Sequence, residues 1–349
     1  MKPIKSNFFF IVFHFNLCLL MACQSTSPTP TPTATIVTPT ATTSTLNIDL
    51  TSEITASQPW RIAFLGKGNI NPDTNIPTDL YQANAWLGAE QAATDFGIDL
   101  QLLPNPCQTC VEDQIRTVAT LIDQGDLDGI IIMPTDSIRL AAVVEKAIAQ
   151  GIPVIAMDTP LSSEQLTTFV AFDNYLAGQT LGRWVSEQLS AQDNVAILAG
   201  PVDHQNAQER RNGYITGLKN NQINVVATES ANWDTMEAKA VVKSWLAEYN
   251  NLDAIMAAND GMALGAIEAL QEANRTDILV TGFDAVAPAI EAIAIGTMAA
   301  TIDQAPALQA RLSLQLMVRH LENNEPLPPT VVLPDIVIVT KDNLSTYQP

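Results

Sequence analysis

Short apolar runs and amphipathic segments alternate along this chain from Trp60 onward. Residues 253–270, DAIMAANDGMALGAIEAL, show the unit in its plainest form. Residues 254–258 are an apolar run too short for a helix of its own. Asn259, Asp260 and Gly261 interrupt it with three turn-forming residues. Met262, Leu264, Ala266, Ile267 and Leu270 then recur at helical spacing, with Glu268 and Gln271 on the polar side. The unit is a buried strand, a polar turn and a helix. In an open parallel sheet small molecules bind where strands end and helices begin, so Asn259 and Asp260 stand at such a position.

The same unit repeats through the chain. Strands are predicted at 61–65, 98–103, 129–133, 151–157 and 169–172, with helices at 81–96, 111–124, 140–150 and 176–189. Further strands fall at 195–198, 225–227, 279–283, 298–302 and 336–339, with helices at 207–219, 236–249, 288–295 and 306–322. Residues 66–79 form a long polar segment holding two prolines and Asp73. Most of the apolar runs are short and β-branched, as strands buried on both faces require. The fold class is therefore α/β, with parallel sheets covered on both sides. The strands are too many for one compact sheet, and 349 residues suit two domains, so two lobes are expected.

Charge narrows the partners. The net charge of −20, from 17 basic and 37 acidic residues, argues against nucleic acid and anionic headgroups. Three histidines are too few for a multi-histidine metal centre, and neither a metal nor a cofactor is expected. The 47% hydrophobic content is ordinary for a chain with a full core.

The N-terminus reads as a targeting segment. Lys2 and Lys5 supply the positive end, and residues 8–20 are apolar apart from His14 and Asn16. The run ends in Leu20-Met21-Ala22-Cys23, which resembles a bacterial lipobox. That resemblance implies a signal peptide over 1–22 and a diacylated Cys23. Acyl chains on that residue would be the only link to the membrane. Residues 23–59 follow as a Thr/Pro-rich tether, semi-rigid and with almost nothing to bury. Cys18 leaves with the signal, so Cys107 and Cys110 are the thiols of the folded part. Outside the cytoplasm they could form a small structural disulfide. Their place between a strand and a helix would also depress a thiol pKa, which leaves idle thiols and redox or metal work as alternatives. Pro104 and Pro106 ahead of the pair, without the usual Trp, argue against a thioredoxin-like role.

Several strands end in polar or aromatic residues. Asp158, Asn259, Asp284 and Gln304 do so, Trp233 follows another strand, and Arg210 lies near a helix start. Carboxylates and amides suit adjacent hydroxyls, a guanidinium offers a planar fork, and an indole packs on the C–H face of a sugar. Any one of these Asp or Asn residues could equally be a helix cap. In order along the chain, GIIIMPTDS, GIPVIAMD, FVAFDNYLAGQTLGRWV, ERRNGYITGL, ANWD, AIMAANDGMALGAIEAL, VTGFDAVAPAIEAI and GTMAATIDQ resemble the sugar-binding receptors of bacterial ABC importers, the ribose-binding branch above all. The resemblance spans about residues 60–345.

That resemblance implies the type I periplasmic binding protein fold, two Rossmann-like lobes joined by three hinge crossings. The N-terminal lobe would comprise 60–172 and 305–332, and the C-terminal lobe 173–304 and 333–349. It implies ligand contacts from Asp158, Arg210, Trp233, Asn259, Asp284 and Gln304. Tyr81 and Gln82 fall where the family has two aromatics, Asp79 where it has Asn, and Met133 where it has a polar residue. Thr159 replaces the arginine that follows the strand-end Asp in ribose binders, and the 66–79 loop is long. A related sugar or polyol is therefore expected rather than ribose itself. The resemblance further implies no catalysis, a monomer, and delivery of ligand to ABC permease subunits in the cell envelope. The alternative is a sensory receptor that presents ligand to a chemoreceptor or sensor kinase. A repressor of the same fold would need a basic helix-turn-helix, and residues 1–59 contain none. His204 is expected in a surface loop, and Gly66-Lys67-Gly68 fails as a dinucleotide fingerprint because the third glycine is missing.

Overall fold

A computed structural model describes residues 54–347; the signal segment, Cys23 and most of the tether lie outside them. The first lobe grows around β1 (Arg61–Leu65), in which every residue after Arg61 is buried. A strand covered on both faces must be apolar throughout, and this one is. The chain then forms a short antiparallel ribbon, β2 (Ile70–Asn71) and β3 (Ile76–Pro77), inside the segment read from sequence as irregular. Helix α1 (Leu80–Phe96) starts at Asp79, whose carboxylate accepts the Gln82 N–H, and stops at Gly97 in the left-handed region. There follow β4 (Asp99–Leu103), α2 (Val111–Gln124), β5 (Gly129–Ile132), α3 (Ala141–Ala149), β6 (Val154–Met157) and β7 (Thr168–Ala171).

The second lobe repeats the alternation. It contains α4 (Asn174–Gln188), β8 (Asn194–Ala199), α5 (Gln205–Leu218), β9 (Asn224–Ser230), α6 (Thr235–Glu248) and β10 (Ala254–Ala257). It continues with α7 (Asp260–Glu272), β11 (Leu279–Thr281), α8 (Ala287–Ile295) and β12 (Ala300–Asp303). The chain then forms α9 (Pro306–Asn323), β13 (Thr330–Val332) and β14 (Val337–Thr340).

The strand order is β13-β7-β6-β5-β1-β4 in one sheet and β14-β12-β11-β10-β8-β9 in the other. The chain therefore passes between sheets three times: after β7, after β12 and after β13. All pairings in the two sheets are parallel except β12 with β14. Two parallel sheets joined by three crossings are the architecture that the sequence resemblance implies. Strand β9 runs longer than its apolar signal because it is an edge strand with exposed positions. Strand β13 lies at the opposite kind of edge, with two of its three residues exposed, and gives no sequence signal at all.

One apolar cluster runs from the first sheet beneath α1 and α9, through Phe172 and Phe283, to Tyr214 and Leu218 of the second lobe. Phe172 and Phe283 meet edge to face, with ring centroids 6.1 Å apart. Within the second lobe α4 and α5 pack at backbone distance. Gly178 and Gly182 on α4 face Gly213 and Gly217 on α5, and a methyl group on Gly217 would sit 2.4 Å from the Gln179 carbonyl oxygen. Side chains here would force the helices apart, and overpacking of this kind costs about 1–3 kcal/mol.

One boundary needs correction. Residues 54–59, assigned from sequence to the tether, belong to the first lobe. Ile54 and Ala56 pack against its core. The Ala56 N–H donates to the Phe96 carbonyl at 2.8 Å, and Glu322 accepts from the Ser57 N–H and hydroxyl and from the Trp60 indole. Low complexity ends before Ile54, and Trp60 understates where burial begins.

Candidate functional site

Asp158 is the first residue after β6, and its backbone is left-handed, with φ of 63°. The carboxylate is buried and collects donors from four segments, one of them Asn206, whose Nδ2 donates to Oδ1 at 3.4 Å. Lys67 Nζ lies 2.5 Å from Oδ2, and the Thr159 hydroxyl donates to Oδ2 at 2.9 Å. The Tyr81 hydroxyl donates to Oδ1 at 3.0 Å. Burial is the largest single influence and raises this carboxyl's pKa, but Lys67, Thr159 and Arg210 together outweigh it and hold the group below the usual carboxylate range.

Lys67 was not anticipated from sequence. It comes from the loop after β1, where GKGN was considered only as a nucleotide motif. Its Nζ donates to the Thr159 hydroxyl at 2.6 Å, and its backbone N–H donates to Gln82 Oε1 at 3.2 Å. Two departures from the ribose-binding pattern thus serve one residue. Thr159 leaves room for a cation and accepts from it; Gln82, in place of a ring, fixes the loop that carries it. A cation stands beside Asp158 after all, delivered from another strand end.

Arg210 on α5 organises the second lobe's contribution. Nε donates to Asn174 Oδ1 at 2.8 Å, Nη1 to the Ala258 carbonyl at 2.7 Å, and Nη2 to Gln304 Oε1 at 2.9 Å. The guanidinium lies over the Phe283 ring at 3.9 Å and 5.5 Å from the Trp233 centroid. Asp284 Oδ1 is 3.6 Å from Nη1 and accepts from Gln304 Nε2. Burial pushes the Asp284 carboxyl up, while Arg210 pulls it the other way. Asn259 caps α7 by accepting the Met262 N–H at 2.9 Å and also lines the cavity.

Trp233 follows β9 and donates its indole N–H to His204 Nδ1 at 3.1 Å. Its ring rests on Gly200, where a Cβ would fall 2.4 Å from the indole. Trp233 and Asp284 share the positive backbone φ of Asp158, at 63° and 117°. Such conformations cost about 1–3 kcal/mol each and persist where surrounding structure imposes them, commonly at functional sites.

These groups converge on a cavity of about 50 Å³. Asp79, Tyr81, Gln82 and Asp158 line it from the first lobe, Arg210, Trp233, Asn259 and Asp284 from the second, and Gln304 from the crossing between them. Met133 is the exception and corrects the sequence expectation. It is fully buried in the first lobe's core beside Ile131 and Ile155, not in the cavity. An apolar thioether gains more from that packing than from a polar cleft. His204 is a second correction: it is half-buried and lines the cavity rather than a surface loop. Thr159, noted from sequence as a departure, also reaches the cavity, and Gln108 and Asn206 do so unforeseen. Asn206 donates to the Asp158 carbonyl at 3.3 Å from across the lobes, while its own Oδ1 is buried with no partner among the described residues. Among the described residues, no three His, Cys, Asp or Glu side chains are grouped to hold a metal.

The His204 contact has a pH consequence. Nδ1 can accept from Trp233 only when unprotonated. Burial, reinforced by Lys67, holds the imidazole below its ordinary 6.5. A depressed folded pKa means the contact's contribution is complete above 6.5 and is lost as pH falls through the folded value. Acid titration should therefore change the tryptophan emission in a step below pH 6.5. His204→Gln, which keeps an acceptor but does not titrate, should remove the step.

Residues 70–325 match the periplasmic binding protein domain. The chain belongs to that family. The D-ribose/D-allose-binding protein of Pseudomonas aeruginosa is 32% identical over 226 residues, 63% of this chain and 70% of that protein. The xylitol-binding protein of Mycolicibacterium smegmatis is 30% identical over 249 residues, 70% of each. The solved structure of an ABC transporter periplasmic solute-binding protein from Actinobacillus succinogenes 130z with bound D-allose superposes with a TM-score of 0.77 at 30% identity, covering 82% of this chain and all of that one. As a periplasmic binding protein, the chain has a solute-binding role outside the cytoplasm. No helix among the described residues is long and apolar enough to cross a membrane.

Proposed function

We propose that this protein captures a monosaccharide or closely related polyol between its lobes and hands it to the permease of an ABC importer. The observation that carries this reading is the pairing of Asp158 from one lobe with Arg210 from the other at a single buried cavity. A polyol offers adjacent hydroxyls that donate to a carboxylate and accept from a guanidinium. Trp233 supplies an aromatic face, and the free acceptor of Asn206 suits one further hydroxyl. Relatives named for ribose, allose and xylitol point the same way. Lys67 and Gln82, in place of an arginine and a ring, favour a ligand other than ribose.

Function then requires no bond-breaking. Ligand touches both lobes only when they close, so binding shifts the population toward the closed form. The closed, loaded monomer docks on the permease through both lobes. Cys23, acylated, holds the protein at the membrane, and the Thr/Pro tether spaces it from the surface; intact mass of the protein extracted from membranes tests this. Thermal shift with D-ribose, D-allose, xylitol and a set of amino acids tests the binding reading. A ligand at one hundred times its Kd adds about 2.7 kcal/mol, a clear upward shift. A shift with at least one polyol is expected; a shift with amino acids alone would overturn the reading.

A further inference from the structure

Beyond the strand-end residues, the cavity has one wall that comes from an unusual place. After β4 the chain makes a tight ring, Cys107-Gln108-Thr109-Cys110, closed by a disulfide. The ring is pinned from beneath by Asn105, which is almost fully buried. Its Nδ2 donates to the Cys107 carbonyl at 2.7 Å and to the Cys110 carbonyl at 3.0 Å. Its backbone N–H donates to the Gly68 carbonyl at 3.2 Å, so the ring is tied to the residue beside Lys67. Cys110 is also the residue from which α2 starts. The ring thus has its covalent closure, its buried support and both flanks fixed.

What it presents is Gln108. This side chain lines the cavity, and its Nε2 donates to Asp79 Oδ2 at a long 3.4 Å. Asp79 is otherwise occupied in capping α1 through Oδ1. The amide of Gln108 therefore carries both a donor and an acceptor at the Asp79 end of the cavity, with one weak bond holding it. We propose that the disulfide ring is a specificity element of the receptor, which fixes Gln108 as a hydrogen-bonding contact for a ligand hydroxyl at the Asp79 end of the cavity. The inference rests on the polyol reading and deepens it. It also gives the cysteine pair a role that needs no thiol chemistry: a closed ring fixes the main chain that carries Gln108 before ligand arrives, so less freedom is lost on binding.

Calorimetric titration of the mature protein with D-ribose, D-allose and xylitol tests this. Gln108→Ala should weaken the best of these ligands about fivefold to tenfold, the loss expected for one net hydrogen bond. It should also alter the preference between D-ribose and D-allose, since one hydroxyl position loses its partner. Cys107→Ser with Cys110→Ser should weaken binding in the same direction. Reduction of the wild-type protein should do so reversibly, with affinity restored on reoxidation, which separates a positioning effect from failure to fold. Affinities and preference unchanged within twofold in Gln108→Ala and after reduction, while Asp158→Asn abolishes binding, would overturn this inference alone. A wild-type protein that binds none of the three would overturn the polyol reading and the inference with it.

Discussion

Arg210→Met should abolish binding of any ligand the wild-type protein takes and destabilise the protein by about 3–5 kcal/mol, the cost of breaking a buried charge network from one side. The guanidinium satisfies three acceptors at once: Asn174 Oδ1, the Ala258 carbonyl and Gln304 Oε1. Methionine fills the volume but leaves all three without their donor. Asp284 also loses the charge that offsets its burial. Urea denaturation should show the midpoint falling, with the slope preserved if the fold is intact. Arg210→Lys keeps the charge but not the fork, so it should recover stability in part and affinity hardly at all. A variant that still bound ligand at wild-type affinity would remove Arg210 from the site.

Lys67→Met is expected to cost about 3 kcal/mol at pH 7, near the low end for a broken buried pair, because the Thr159 and Tyr81 hydroxyls still donate to Asp158. The effect should depend on pH in a definite sense. In the wild type, Asp158 has a folded pKa below its ordinary 3.8, so its contribution is complete above that value and is lost as pH falls through the folded pKa. Without Lys67, burial is opposed only by Thr159 and Arg210, so the carboxyl rises and the variant should be relieved as acid protonates it. The two stability curves should therefore approach each other on going from pH 7 to pH 4. Adding Asp158→Asn to Lys67→Met should recover much of the loss at pH 7, since the orphaned charge is gone. Equal deficits at both pH values would mean that Lys67 acts through packing and not through Asp158.

Much of this site is legible in the chain because its members sit at strand ends, which periodicity locates. Asp158, Asn259 and Asp284 each follow an apolar run that could hardly be anything but a buried strand. Arg210 and Trp233 are found through ordered motifs and not through pattern. Lys67, Gln108 and Asn206 carry no such signal for a physical reason: they lie in loops or at a helix start, where no period fixes a direction, and tertiary contacts alone place them at the cavity. Met133 lies in the core and not the cavity because an apolar thioether gains nothing from polar surroundings. The β2–β3 ribbon and β13 escaped notice because strands of two or three residues, partly exposed, carry too little alternation to register.

The glycine at 178 faces the main chain of Arg210: a methyl group there would lie 2.6 Å from the Arg210 carbonyl oxygen and 3.1 Å from its Cα. The arginine therefore has no slack behind it. Its reach into the cleft is set by how closely the backbones of two helices touch. Evolution can retune the front of this receptor by exchanging loop residues such as Lys67, but the rear wall admits no such exchange. Drift in the helix pair would displace the guanidinium and, with it, the acceptors of Asn174, Ala258 and Gln304 that it holds.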